Sequence, residues 1–390
     1  MKNNFILFSL FITLLSFGQG STDYTLVDAK MAIIPSNQTT STTAIAAYIN
    51  TNFKTETDKI RAAFYWTASN IRYDVTTRYA VNFSETAQDK ITRTLKTRKG
   101  VCSHYAAVFK ELSDKIGIES YIIQGYNKQN GTVGKLAHAW NAAKIDTKWY
   151  LFDPTWGSGY VHNGQFSKKL NNVYFKADPA KIIASHIPFD YLWQFLYYPI
   201  TNSEFYAGKV QINTSKKYFD FEREISKYNA MSETDQLYAA AERIEKNGLK
   251  NALVLERYDF KKKKLEYLRR NANIEKLNAI VNEMNLAVIL LNDFVHYRNN
   301  QFKPTFSDDE ISKMIQTPQE KLAKCQDAIY AVGPVGSESS AYVASVKKSL
   351  SKALAQANEH ASFVQNYLSK SKSSRKTMFS KFSQLRVSSH

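Results

Sequence analysis

Three residues fall in an order and a local context that suit acyl transfer at a thiol. Cys102 follows Gly100-Val101 and opens an apolar-periodic run, so its side chain stands at a helix start. Unpaired backbone N–H groups and the helix dipole favour negative charge there, which biases a thiol toward the reactive thiolate. His138 lies in the alternating segment Leu136-Ala137-His138-Ala139-Trp140, and Asp153 closes the segment Trp149-Tyr150-Leu151-Phe152-Asp153. Adjacent antiparallel strands with a tight turn near Asp146 would set these two side by side. A carboxylate beside a histidine fixes its tautomer and stabilises the imidazolium, and the imidazolium stabilises the thiolate. Cys102 is the candidate nucleophile, His138 the general base and acid, and Asp153 the orienting carboxylate.

The elements that must position these residues are legible in outline. Ile60, Ala63, Phe64, Thr67 and Ile71 recur at helical spacing, which predicts a helix over 58–71. Tyr105, Phe109, Leu112 and Ile116 repeat the pattern over 102–116, and Gly117 follows where a helix commonly stops. Strand-like runs come next over 120–125, 137–144 and 148–152. Gly131 and Gly134 mark a loop, and Asp146-Thr147 a tight turn. Helices followed by consecutive strands predict an α+β fold with an antiparallel sheet.

The chain changes character near residue 205. All five Trp precede it, and after Lys209 only Gly248, Gly333 and Gly336 remain. The second half reads as helices alone, over about 232–247, 250–271, 274–296, 307–315, 319–332 and 337–368, punctuated by Pro304, Pro318 and Pro334. Beyond Leu368 the sequence is basic and polar and predicts a loosely ordered tail. At the other end, Lys2 precedes an apolar run over Phe5–Phe17, followed by Gly18-Gln19-Gly20. That is the layout of a secretory signal peptide, and the run is too short for the roughly 20 residues of a spanning helix. The expected organisation is a leader over 1–20, a catalytic domain over 21–205, a helical domain over 206–368 and a basic tail over 369–390.

Composition removes several alternatives. Two Cys in 390 residues exclude a disulfide framework and a zinc ribbon. Cys325, in an amphipathic run without a His-Asp companion, reads as a packing residue. His186, His296, His360 and His390 show no metal-ligand clustering, so neither metal nor cofactor is expected. The 52 Lys+Arg against 35 Asp+Glu leave a net charge of +17. Without a recognition motif this does not imply nucleic acid; attraction to an anionic envelope polymer or membrane surface is the expectation.

Several segments together resemble a known family. Lys99-Gly100-Val101-Cys102-Ser103-His104-Tyr105-Ala106, Ala137-His138-Ala139-Trp140-Asn141 and Phe152-Asp153-Pro154-Thr155-Trp156 are similar to the core of the transglutaminase-like superfamily, the papain-like group that shares a Cys-His-Asp triad. Ile60-Arg61-Ala62-Ala63-Phe64-Tyr65-Trp66 with Asn70-Ile71-Arg72-Tyr73-Asp74 resembles the helix that precedes the Cys in bacterial members. The resemblance covers about 55–160, more weakly to 205. It implies a papain/transglutaminase-like catalytic core, with Cys102, His138 and Asp153 in the roles given above. Animal transglutaminases use an upstream Trp at the oxyanion; here Trp66 is the upstream Trp, and Tyr73 a comparable candidate. His104, Trp156 and His162 are candidates to line the cleft. The Arg-Gly-Gly context of arylamine acetyltransferases, the Cys-x-x-Cys pairs of peptide glycanases and any calcium-loop spacing are absent from the sequence. The reading is an exported bacterial-type thiol enzyme of the periplasm, envelope or exterior. It would cut amide bonds of proteins or peptides through a Cys102 thioester, with hydrolysis favoured over cross-linking. A protein-glutamine acyltransferase and a silent binding module are the alternatives.

Overall fold

The computed structural model describes residues 24–78 and 85–387. The expected leader over 1–20 lies outside the described residues. The chain forms two compact units.

The first unit begins with helices α1 (Thr25–Ala32), α2 (Thr42–Asn52) and α3 (Glu56–Asn70), followed by the two-residue strand β1 (Arg72–Tyr73), helix α4 (Ala87–Thr97), strand β2 (Lys99–Gly100) and helix α5 (Cys102–Lys115). Hydroxyls start three of these helices. Ser41, Thr55 and Thr86 accept the backbone N–H of Ala44, Asp58 and Asp89, satisfying donors that the helix cannot. Strands β3 (Ser120–Gln129), β4 (Thr132–Ile145) and β5 (Lys148–Phe152) then build an antiparallel meander. Both connections are two-residue turns with positive φ, at Asn130-Gly131 (50° and 77°) and Asp146-Thr147 (49° and 71°). This is the turn geometry that matches strand twist. The strands are therefore longer than expected, and Gly134 sits within β4 instead of a loop.

After β5 come the one-turn helix α6 (Pro154–Ser158), the hairpin of β6 (Gly159–His162) and β7 (Gln165–Lys168), helix α7 (Pro179–Ile182), strand β8 (His186–Pro188), and helices α8 (Asn202–Ala207) and α9 (Phe221–Ala230). β8 returns to pair with β3, so the sheet order is β5-β4-β3-β8. Both faces of this sheet are covered. On one, Phe109 and Leu112 of α5 meet Phe64 and Trp66 of α3, with Ile145 and Phe152 of the sheet. On the other, Ile123, Trp140, Trp149 and Leu151 pack with Leu192, Phe195, Phe221 and Ile225. Each such side chain contributes about 1.5–3 kcal/mol by leaving water. Arg61, wholly buried in α3, is held by Asp28 at 2.6 and 2.7 Å and Asn172 at 2.8 Å, against the rings of Tyr24 and Phe175.

The later helices are α10 (Glu233–Lys246), α11 (Ala252–Asn299), α12 (Asp308–Tyr330), α13 (Ser337–Leu368) and α14 (Lys372–Val387). The expected boundary at 205 does not match the units: the first holds the residues up to Ala230 together with Ala240–Tyr258. Ile244 and Val254 pack with Tyr126, Ile187, Ile200 and Phe205, and Arg243 pairs with Asp190 at 2.7 Å. The second unit takes Met231–Ala239 and the chain from Asp259 onward. Its core joins Leu291 and Phe294 to Ile311, Ile315, Leu322 and Cys325, and to Leu350, Ala357 and Val364. The helices expected over 250–271 and 274–296 are one, because no Gly or Pro interrupts that stretch. Those over 307–315 and 319–332 are also one, with Pro318 inside. The expected loose tail is helical through Val387, and Arg375 binds both oxygens of Asp308 at 2.6 and 2.8 Å. Among the described residues no helix is long and apolar enough to cross a membrane.

Candidate active site

Cys102 is the first residue of α5, a half-buried free thiol. Two devices fix this helix start. β1 and β2 pair in parallel, with Tyr73 opposite Gly100. The Val101 N–H donates to His104 Nδ1 at 3.2 Å, an imidazole doing what a capping carboxylate usually does. Gly100 is needed for that closure, since a Cβ there would lie 2.5 Å from His104 Cβ. His104 thus corrects an expectation. Its ring is buried, its Nε2 faces Arg93 and Glu85, and burial together with Arg93 pushes its pKa down. It caps the nucleophile's helix and does not line a cleft.

His138 stands on β4, opposite Gly125 of β3. Its Nε2 lies 2.7 Å from Asp153 Oδ2, and the Cys102 thiol is close enough to act on its ring. With Nε2 committed to the carboxylate, Nδ1 is the nitrogen left for the thiol. Burial disfavours the imidazolium, but the Asp153 carboxylate outweighs it and, with Cys102, pushes the pKa up to about 10. The strand ladder ends at Asn141 and Phe152, so Asp153 stands one residue beyond it. There it caps α6: Oδ1 accepts the N–H of Thr155 at 2.9 Å and of Trp156 at 3.0 Å. Burial opposes its ionisation, yet His138 facing it holds the carboxyl well below the usual range.

The structure adds a fourth member. His186, wholly buried on β8, places Nε2 3.1 Å from the same Asp153 Oδ2. Burial and the neighbouring His138 push its pKa down. Nothing in the sequence spacing marks it, because β8 reaches the site by pairing with β3 out of chain order. The approach depends on Gly125, which pairs with His138 on one side and Pro188 on the other. A Cβ there would collide with the Ile187 carbonyl and lie 2.6 Å from the Trp140 ring and 2.7 Å from Pro188 Cα.

Aromatic rings enclose the two imidazoles. Trp156 lies 5.7 Å from His138 and 4.6 Å from His186, and Trp140 lies 5.9 and 5.2 Å from them. Trp156 is therefore beside the histidines. His162 instead sits exposed at the tip of the β6–β7 hairpin. Tyr73 is half-buried on β1, beside the strand β2 that leads to Cys102, with its ring 6.3 Å from Phe166. Trp66 is wholly enclosed in the core beneath Arg98, 4.9 Å from its ring, so it has no surface to offer a substrate. Its indole N–H has no partner there. Asn141 ties helix to sheet, donating Nδ2 to the Ala106 carbonyl of α5 at 3.0 Å.

His138, Asp153 and His186 also have the composition of a metal-ligand set, their ligand atoms lying within 4.8 Å of one another. As a hydrogen-bonded trio, both Nε2–H groups point at the carboxylate, and an ion would have to displace both protons.

Comparisons with known proteins point to the same segment of the chain. Residues 43–154 match the transglutaminase-like superfamily. The chain thus contains a transglutaminase-like domain. Over 159 residues it is 33% identical to the kyphoscoliosis peptidase of Homo sapiens, covering 39% of this chain and 24% of that protein. The Mus musculus counterpart is 33% identical over 156 residues, 38% of this chain and 23% of that protein. The chain thus spans about a quarter of the length of these curated relatives. A solved structure of a TGase aligns over 42% of this chain and 40% of its own, with 17% identity and a TM-score of 0.25. Transglutaminase-like domains are in general those of cysteine enzymes.

Proposed function

We propose that the chain is an exported thiol enzyme that hydrolyses amide bonds of proteins or peptides through a thioester on Cys102. The observation that carries this reading is the buried His138–Asp153 pair at 2.7 Å, with the Cys102 thiol at the start of α5 near enough to help raise the His138 pKa. The Cys102 thiolate attacks the amide carbonyl carbon, and the carbonyl electron pair moves to oxygen. The Cys102 backbone N–H, at the helix start, is the candidate donor to that oxyanion. His138 Nδ1 gives its proton to the amide nitrogen, the C–N bond breaks and the amine leaves. Water then surrenders a proton to Nδ1 and attacks the thioester; the C–S bond breaks and the thiolate–imidazolium pair is restored.

The name peptidase borne by the two relatives supports water as the acceptor. The basic, apolar layout of residues 1–17 supports export to the periplasm, envelope or exterior. The +17 charge favours encounter with anionic envelope polymers or a membrane surface and would weaken with salt. The test is mass spectrometry of envelope proteins incubated with wild type and with Cys102→Ala. New peptide termini or hydrolysed side-chain amides in the wild-type sample alone are the expected result. Cross-links in their place would reassign the enzyme as a transferase, and identical samples would sink the enzymatic reading.

A further inference from the structure

We propose that His186 is a positioning residue of this site: by donating Nε2–H to Asp153 Oδ2 it locks the carboxylate that in turn locks His138. The inference rests on Cys102 acting as the nucleophile. A carboxylate offers about four lone-pair directions. Here all four are taken: Thr155 and Trp156 N–H on Oδ1, His138 and His186 Nε2 on Oδ2. A group so satisfied has no free rotation about its Cβ–Cγ bond and no vacant site for the His138 proton. It therefore stays an anion and an orienter throughout the reaction.

Ser185 Oγ lies 2.8 Å from His186 Nδ1 and 3.2 Å from the Ile182 carbonyl; when the hydroxyl turns its one proton to the nearer Nδ1, the imidazole proton sits on Nε2. Its place in space comes from the β3–β8 ladder, where it pairs with Asn127. The edges of Trp140 and Trp156 pack on its ring at 5.2 and 4.6 Å. The titratable groups facing it are His138 on β4, Asp153 after β5 and Tyr174, whose ring lies 5.9 Å away. A flat apolar ring could fill the same space. Only a donor could serve Oδ2, and that difference makes the role testable.

The experiment measures alkylation of Cys102 by iodoacetamide in the full chain across pH, for wild type, His186→Phe and His186→Gln. The Phe variant keeps a ring without the donor; the Gln variant keeps an N–H. His186→Phe should react roughly ten-fold more slowly or worse, the scale of one hydrogen bond to a charged group. The acid limb of its pH profile should move to higher pH, because Asp153 loses a donor that stabilises its anion. His186→Gln should recover most of the rate. A Phe variant with wild-type rate and profile overturns the inference, as does a Gln variant no faster than Phe at an equal melting temperature. If the Phe variant does not fold, Ser185→Ala decides. It should slow the reaction a few-fold and shift the same limb, and an unchanged rate and limb overturn the inference. Wild type reacting no faster than a free thiol would overturn the thiol-enzyme reading and this inference together. Fast wild type beside an unaffected His186→Phe overturns this inference alone.

Discussion

Asp153 serves two structures with its two oxygens, and substitutions can separate them. In Asp153→Asn the amide oxygen can still cap Thr155 and Trp156, while the amide N–H₂ meets two N–H donors where it should meet none. His138 is then driven to the wrong tautomer, and Cys102 alkylation should fall by roughly 10²–10⁴-fold with the melting temperature little changed. Asp153→Ala should lose reactivity and also about 1 kcal/mol from the missing cap, read by urea denaturation. His138 carries a pH signature. Its folded pKa of about 10 lies above the ordinary 6.5, so its ion pair stabilises the fold fully below pH 6.5 and ceases to do so as pH rises through about 10. The wild-type melting temperature should therefore decline more steeply over that interval than that of His138→Gln; parallel declines would refute the assignment. Cys102, His138 and Asp153 were readable because each sits in a recognisable local context. His186 was not, because its partner carboxylate lies across a helix turn, a hairpin and α7, where spacing carries no information.

The elements divide the work. α5 supplies the nucleophile from one end, and the sheet supplies the other three groups from β4, the end of β5, and β8. Their registration depends on small features such as the Asn141 bond to Ala106 and the bare backbone of Gly125. Gly125→Ala forces a methyl between Trp140 and β8. It should cost about 1–3 kcal/mol in urea denaturation, the range for overpacking, and slow Cys102 alkylation through displacement of His186. Normal stability with normal reactivity would show that β8 can shift freely. The α5 helix and the β4–β5 hairpin were legible in the sequence, the former from its apolar period and Gly117, the latter from Asp146-Thr147. The true length of β3 and β4 was hidden because Asn130-Gly131 turns in two residues where Gly131 to Gly134 read as a loop.

At the scale of the whole molecule, composition misled where packing decides. Trp and Gly thin out at 205, but Ile244 and Val254 complete a core that holds Ile187 and Phe205. A chain ending at 205 should therefore melt lower and label more slowly at Cys102 than one ending at 258, and equal behaviour would contradict that packing. The two thiols should also behave differently. Cys325 is buried in the second unit, and burial pushes its pKa up. Native protein should take up a single alkyl group at Cys102, and the second only after denaturation, as intact-mass measurement would show. The late arrival of β8 has a consequence in time. Emerging from the ribosome, the chain presents Cys102 long before His186, and N-terminal segments are made first, at about 5–20 residues per second. Until β8 pairs with β3, Asp153 lacks its fourth hydrogen-bond partner; if His186 acts as proposed, Cys102 gains its full reactivity only once that pairing is made.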